Sequence, residues 1–287
     1  MKDGNLRVGE INFTNCDHIY YYLKNRYRPR GVSYFPGPPA VLNRMLRDAE
    51  IDLCLSSSYE YAQNAGQYYV LPDYGIGSRG ALPSIRLFSR VPLDSLDGAR
   101  IGLTAESGTT VVLCRIILQH FLGYENEYTT LASDLERSLE SSEAMVLIGD
   151  KALAADSRAG SEDLFSYDLS RLWEHYTGLQ FVFALWILRK DAAERLAPQL
   201  TEFWRAVHET HRDMENPEEK LVRQVLERKP FLTEKTLLSY WATIAYRLDK
   251  SHIEGLHLFY RLAAEAGMLD RVPELEVYDP ECRHSPA

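Results

Sequence analysis

The sequence predicts an α/β protein of two lobes, each a mostly parallel sheet covered by helices, and three observations carry that expectation. Short apolar strands alternate with helical stretches over the first ninety residues. The alternation restarts near "VPLDSLDGARIGLT". A long apolar run, "FVFALWIL" at 181–188, then precedes a final third that is helical in pattern.

In chain order, "LRVGEINF" (6–13) is the first strand, and the polar step Thr14, Asn15, Cys16, Asp17 separates it from an aromatic-rich helix. "PPAVLNRMLRDAE" follows, with Val41, Leu42, Met45, Leu46 and Ala49 on one helical face and Pro38 and Pro39 setting its entry. "IDLCL" (51–55) is the next strand, and "SSSYEYAQN" begins a helix in which Ser57 and Glu60 have the spacing of a reciprocal cap. In the second unit, 100–104 reads as a strand, "AESG" as a turn, and "TTVVLCRIILQHFLG" as a helix closed by Gly123. "AMVLIGD" (144–150) is a strand ending on a polar residue. Three helical stretches complete the chain at about 191–215, 217–228 and 233–267, the last broken near 249–251. Their stripes, such as Leu237, Leu238, Trp241, Ile244 and Leu248, face the core. The tail "ELEVYDPECRHSPA" is expected to fray. The expected division is a first lobe over 1–90, a second over 91–180, and a return strand with helices over 181–287 that complete the first.

Composition narrows the function. With 45% hydrophobic and 25% charged residues in 287, the chain can bury an ordinary core. A net charge of -9 and the lack of any basic stretch argue against nucleic acid. The longest apolar run is far short of the roughly 18 residues a membrane helix needs, and no export signal follows Met1, so a cytoplasmic protein without membrane contact is expected. Cys16, Cys54, Cys114 and Cys282 have no paired spacing and read as reduced thiols, Cys54 and Cys114 as core residues. His208 and His211 in "HETH" have no third ligand and read as a solvated helix face. Nucleophile-elbow, P-loop and dinucleotide motifs are absent.

Three uncharged turns fall at the carboxyl ends of predicted strands: Asn15 with Cys16, Ser56 with Ser57 and Ser58, and Ser107, Gly108, Thr109, Thr110 after Glu106. In open α/β sheets ligands bind outside those strand ends. A helix opening Ser-Gly-Thr-Thr offers free amides, hydroxyls and the positive end of its dipole, which suits a carboxylate or phosphate. Ser57 and Ser107 can equally be plain helix caps. Ser84 precedes a further strand, with Arg79 and Arg86 nearby as possible anion partners. His18 is either a base or an exposed helix-start residue.

The blocks "INFTNC", "PAVLNRML", "IDLCLSSSYEYA", "LPDYGIGSRGALPSIRLFS", "LTAESGTTVVLCRIIL", "VLIGDKAL" and "WEHYTGLQFVFALW" together resemble the chorismate dehydratase family of the futalosine pathway of menaquinone biosynthesis, in order over about the first 190 residues. The resemblance implies a type II periplasmic-binding-protein-like fold, with the ligand in the cleft between two lobes. It implies a lyase that removes water from chorismate, a small dicarboxylate, to give 3-[(1-carboxyvinyl)oxy]benzoate with no cofactor. It assigns catalysis to Asn15 and Ser84, and it joins the turns above in pointing to Ser56, Ser57, Ser107, Gly108, Thr109, Thr110 and Asp150 for substrate binding. An asparagine is no base, so the substrate's enolpyruvyl carboxylate is expected to take the proton, with Glu106, Asp150 and His18 as competitors. Two other readings remain: a non-catalytic binder of a small carboxylate on the same fold, and the related enzyme that processes cyclic futalosine. The latter carries a Pro-Cys-Pro-Asn-Asp type segment where this chain has Asn-Phe-Thr-Asn-Cys. The chain departs from the family at His18 and Gln180, positions where proline is common.

Overall fold

The computed structural model describes residues 4–159 and 164–282, and its strands gather into two separate sheets. In chain order they are β1 (Leu6–Ile11), β2 (Val32–Gly37), β3 (Leu53–Ser57), β4 (Tyr68–Ser78), β5 (Ile85–Ser89), β6 (Arg100–Thr104), β7 (Glu127–Leu131), β8 (Ala144–Ile148), β9 (Phe165–Asp168), β10 (Val182–Arg189) and β11 (Ile244–Arg247). The first sheet has the order β11-β4-β10-β3-β1-β2 and the second β7-β6-β8-β5-β9. The chain leaves the first sheet after Ser78 and re-enters it at Val182, so β5 pairs in the second sheet although the expected boundary at 90 leaves it with the first.

Both sheets are mixed, where the sequence predicts mostly parallel ones. Parallel pairing is confined to β2-β1-β3 and β7-β6-β8, while β10 runs antiparallel to β3 and β4. A strand that returns from the other lobe enters the sheet from the opposite end, and so opposes its neighbours. In β10 every residue but Arg189 is buried, which is why it reads as an unbroken apolar run. Trp186 on this strand meets Phe203 and Trp204 edge-on at 5.5 and 6.3 Å, so the helix Ala197–Asp213 is fixed against the sheet by aromatic packing.

The final third departs from its predicted form. The helical stretch over 233–267, expected to break near 249–251, is indeed two helices, Glu234–Thr243 and Lys250–Glu265, but the break begins earlier, at 244, and holds a strand, β11. Ile244 continues the apolar stripe in sequence, but the backbone at that point is captured by the free edge of β4, with Ala245 opposite Gly77. Asp249 then caps the last helix by accepting from the His252 amide at 3.1 Å. That helix lies so close to the crossing segment that a Cβ on Gly255 would fall 2.0 Å from the Gln180 carbonyl oxygen. Gln180 ties the two crossings together: its side chain accepts from the Gly80 amide at 3.0 Å and donates to Glu174 at 2.8 Å.

The tail is not frayed up to Cys282; residues 283–287 lie outside the described residues. Val277 bridges to Val70, the Tyr61 hydroxyl donates to the Glu274 carbonyl at 2.8 Å, and Thr201 donates to that of Pro280 at 2.9 Å. Tyr278 is buried beside Ala193. Among the described residues no helix is long and apolar enough to cross a membrane.

Candidate functional site

The carboxyl ends of β1, β3, β6 and β8 face each other across the two lobes. The turn after β1 carries Asn15 and is held from three sides by residues remote in sequence. The Thr14 amide donates to Asp150 at 3.0 Å, the Trp241 indole donates to the Thr14 carbonyl at 2.8 Å, and the Tyr246 hydroxyl donates to the Asn15 carbonyl at 2.8 Å. A polar turn held this way presents its side chain in one orientation.

Asn15, Ser57, Ser84, Ser107 and Thr110 line a single cavity of about 70 Å³, whose remaining walls are apolar, Phe13, Ile76 and Phe183 among them. The volume is well under the ~300 Å³ at which ordinary ligand sites begin. Among the described residues no charged one lines it. The Asn15 side-chain oxygen is buried there without a hydrogen-bond partner. Rotation of the amide exchanges its two ends, so the group can offer a donor or an acceptor to a ligand. Buried polar atoms are nearly always paired, and an orphan on a cavity wall points to a missing ligand.

Ser84 is buried against the Tyr240 hydroxyl, which burial holds well above its usual range and hence protonated. Ser107 caps the helix Gly108–Arg115, accepting from the Thr110 amide at 3.2 Å and donating to its hydroxyl at 3.1 Å. Capping and lining the cavity are therefore one arrangement, and the positive end of this helix lies at the site. Gly149 adds a wall: its φ of +58° is left-handed, and a Cβ there would meet the Phe13 ring at 2.9 Å.

Four of the expected substrate-binding residues do other work. Ser56 points to the opposite face of β3 from Ser57 and donates to Asn43 at 2.5 Å, as strand alternation requires. Thr109 does not line the cavity; its hydroxyl sits 2.6 Å from that of Ser57 and accepts from the Tyr59 amide at 3.0 Å, joining the lobes. Gly108 permits the approach of Tyr59, whose ring would be 3.0 Å from a Cβ there. Asp150 spends one carboxylate oxygen on the Thr14 amide and the other on Lys229, bridging the lobes beside the cavity. The reciprocal cap expected for Ser57 and Glu60 is not formed, because Ser57 turns to Thr109 and Glu60 pairs with Arg47.

The charged groups considered above also lie elsewhere. Arg86 pairs with Asp156 at 3.0 Å, and Glu106 with Lys151 at 2.6 Å. His18 is neither exposed nor at the cavity: it is 1% exposed, its ring 4.5 Å from that of Trp241, and burial drives its pKa well down. Cys16 is buried and burial pushes its thiol up, which leaves it a packing residue with Cys54 and Cys114. His208 and His211 are not a solvated face, since His211 stacks on Tyr74 at 3.9 Å and the Tyr74 hydroxyl lies 3.1 Å from His208. Among the described residues no group of three or more His, Cys, Asp or Glu is placed to hold a metal. Sequence reasoning missed Tyr240, Trp241 and Tyr246, which follow a helical apolar stripe and carry no local mark of the turn they support.

A family model described as menaquinone biosynthesis matches residues 6–265. A chorismate dehydratase of Thermus thermophilus is 32% identical over 199 residues, 64% of this chain and 70% of that protein. A 1,4-dihydroxy-6-naphthoate synthase of the same organism is 27% identical over 202 residues, 69% of this chain and 71% of that protein. Among solved structures, the alkanesulfonate-binding protein SsuA of Xanthomonas axonopodis pv. citri, bound to MOPS, superposes with a TM-score of 0.71 at 14% identity, covering 96% of this chain and 98% of its own. A Candida albicans protein described as having the generic periplasmic-binding-protein fold superposes at 0.69 and 13% identity, covering 96% of each chain. The fold is periplasmic-binding-protein-like, with the small cavity in the cleft between its lobes.

Proposed function

Since this chain belongs to the menaquinone-biosynthesis family, we propose that it is a cytoplasmic hydro-lyase that converts chorismate to 3-[(1-carboxyvinyl)oxy]benzoate and water without a cofactor. The observation that carries this reading is the Asn15 side-chain oxygen, without a partner among the described residues, in a cavity whose described lining is neutral. Chorismate brings two carboxylates and a ring hydroxyl to such a place. Ser107, Thr110 and the helix end behind them hold a carboxylate, while Ser84 with the protonated Tyr240 donates to the ring hydroxyl. Asn15 steadies the charge that develops as the ring loses a proton.

A base takes the C3 proton, the electron pair of that C–H bond becomes the new ring double bond as the C4–O bond breaks, and the base hands its proton to the departing hydroxyl, so that water leaves and the ring becomes aromatic. Glu106, Asp150 and His18 are all absent from the cavity lining. Their absence from that lining supports the reading in which the enolpyruvyl carboxylate of the substrate is the base. This carboxylate is carried by the ether bonded to the carbon that loses the proton, and intramolecular placement of this kind contributes up to about 7–11 kcal/mol in ideal cases.

Incubating the purified protein with chorismate and following ultraviolet absorbance tests the proposal. The expected result is loss of chorismate with appearance of the substituted benzoate. Saturable binding of chorismate without turnover would identify a binder instead. Turnover of cyclic futalosine and not of chorismate would identify an enzyme that processes cyclic futalosine instead.

A further inference from the structure

Trp241 and Tyr246, which hold the Asn15 turn, also line a second and larger cavity of about 780 Å³. That volume lies within the ~300–1,000 Å³ of small-molecule sites, and none of its lining residues borders the small cavity. Its floor is aromatic. The His18 ring lies 4.5 Å from Trp241 and 4.8 Å from Tyr246, and the His211 ring stacks on Tyr74 with 2° between their planes. His18 Nδ1 and His211 Nε2 are both buried with no hydrogen-bond partner. Buried polar atoms are nearly always paired, and two orphans on side chains that line one cavity point to ordered water or a ligand there.

The chemistry of the walls selects the ligand. Burial drives the pKa of His18 well down and that of His211 to about 3, so both rings are neutral and each offers one donor and one acceptor. At the rim, Arg79, Arg212 and Arg247 are matched by Glu215, Glu219 and Glu234, so the cavity as a whole favours neither sign of charge. We infer that this cavity binds a flat, uncharged aromatic molecule bearing hydroxyl or carbonyl oxygens. Its ring lies against Trp241 and the Tyr74–His211 stack, and its oxygens meet the two imidazoles.

Titration calorimetry with 2-naphthol as the probe tests the inference. One saturable site is expected. His211→Leu should weaken it about tenfold, the scale of one lost hydrogen bond. Ala242→Trp, which fills the cavity from an exposed lining position, should abolish it. Asn15→Ala should leave it unchanged, and 2-naphthoate, the same ring with a charge, should bind about tenfold more weakly. No saturable binding, as when the cavity holds water alone, overturns the inference. So does equal binding by the His211→Leu and Ala242→Trp proteins, a preference for 2-naphthoate, or displacement of 2-naphthol by chorismate. None of these outcomes depends on catalytic turnover.

Discussion

Replacing Asn15 with alanine is expected to reduce chorismate turnover by about 10²-fold or more, the effect of deleting one preorganised donor aimed at developing charge. The Asn15 side-chain oxygen has no partner among the described residues. Truncation therefore breaks no internal hydrogen bond there, and stability should stay within roughly 0.5 kcal/mol of the parent. The loss should fall on kcat, because an interaction that strengthens with developing charge acts mainly in the transition state. Asn15→Asp should be as damaging despite its near-identical shape, since it puts a negative charge into a neutral cavity that receives a dianion. Steady-state kinetics alongside thermal melting separates these effects. Near-normal turnover in Asn15→Ala would remove this residue from the mechanism.

Asp150→Asn and Lys229→Met should each lower kcat/KM by about tenfold to a hundredfold, the range for hydrogen bonds to charged groups of about 1.5–3 kcal/mol. The two side chains belong to different lobes and are mostly buried, 17% and 20% exposed. Their pairing favours the closed arrangement that forms the cavity, so its loss should appear chiefly in KM. Because both substitutions break one contact, the double variant should be no worse than either single one. A direct role for Asp150 on the substrate gives a different pattern, with Asp150→Asn far more damaging than Lys229→Met. Equal single effects with a non-additive double variant identify an interlobe tie.

The parts of the molecule that were legible in the sequence are those determined locally. β1, β3, β6, β8 and β10 are short apolar runs, and the rule that ligands gather at strand ends led to Asn15, Ser57, Ser107 and Thr110, which do share a cavity. What escaped depends on partners distant in the chain. Ile244–Arg247 is a strand because β4 offers a free edge, and no local pattern reports that edge. Asp150 sits at a strand end like a ligand residue, but Thr14 and Lys229 take its oxygens. Ser56 was separable from Ser57 by strand alternation alone. Tyr246 and Trp241 act through hydroxyl and indole groups on a turn more than two hundred residues earlier, 231 and 227 positions away.

The interruption of the first sheet by the second has a bearing on biosynthesis. Strands β5 to β9 occupy one continuous stretch, Ile85 to Asp168, whereas the first sheet needs strands from 6–78, 182–189 and 244–247 and is then strapped by the tail. A growing chain can thus complete its middle before its beginning, which waits for the last residues to emerge. Pulsed hydrogen exchange during refolding should show amides of β6 and β8 protected before those of β1 and β10; the reverse order would mean that the discontinuous half nucleates by itself.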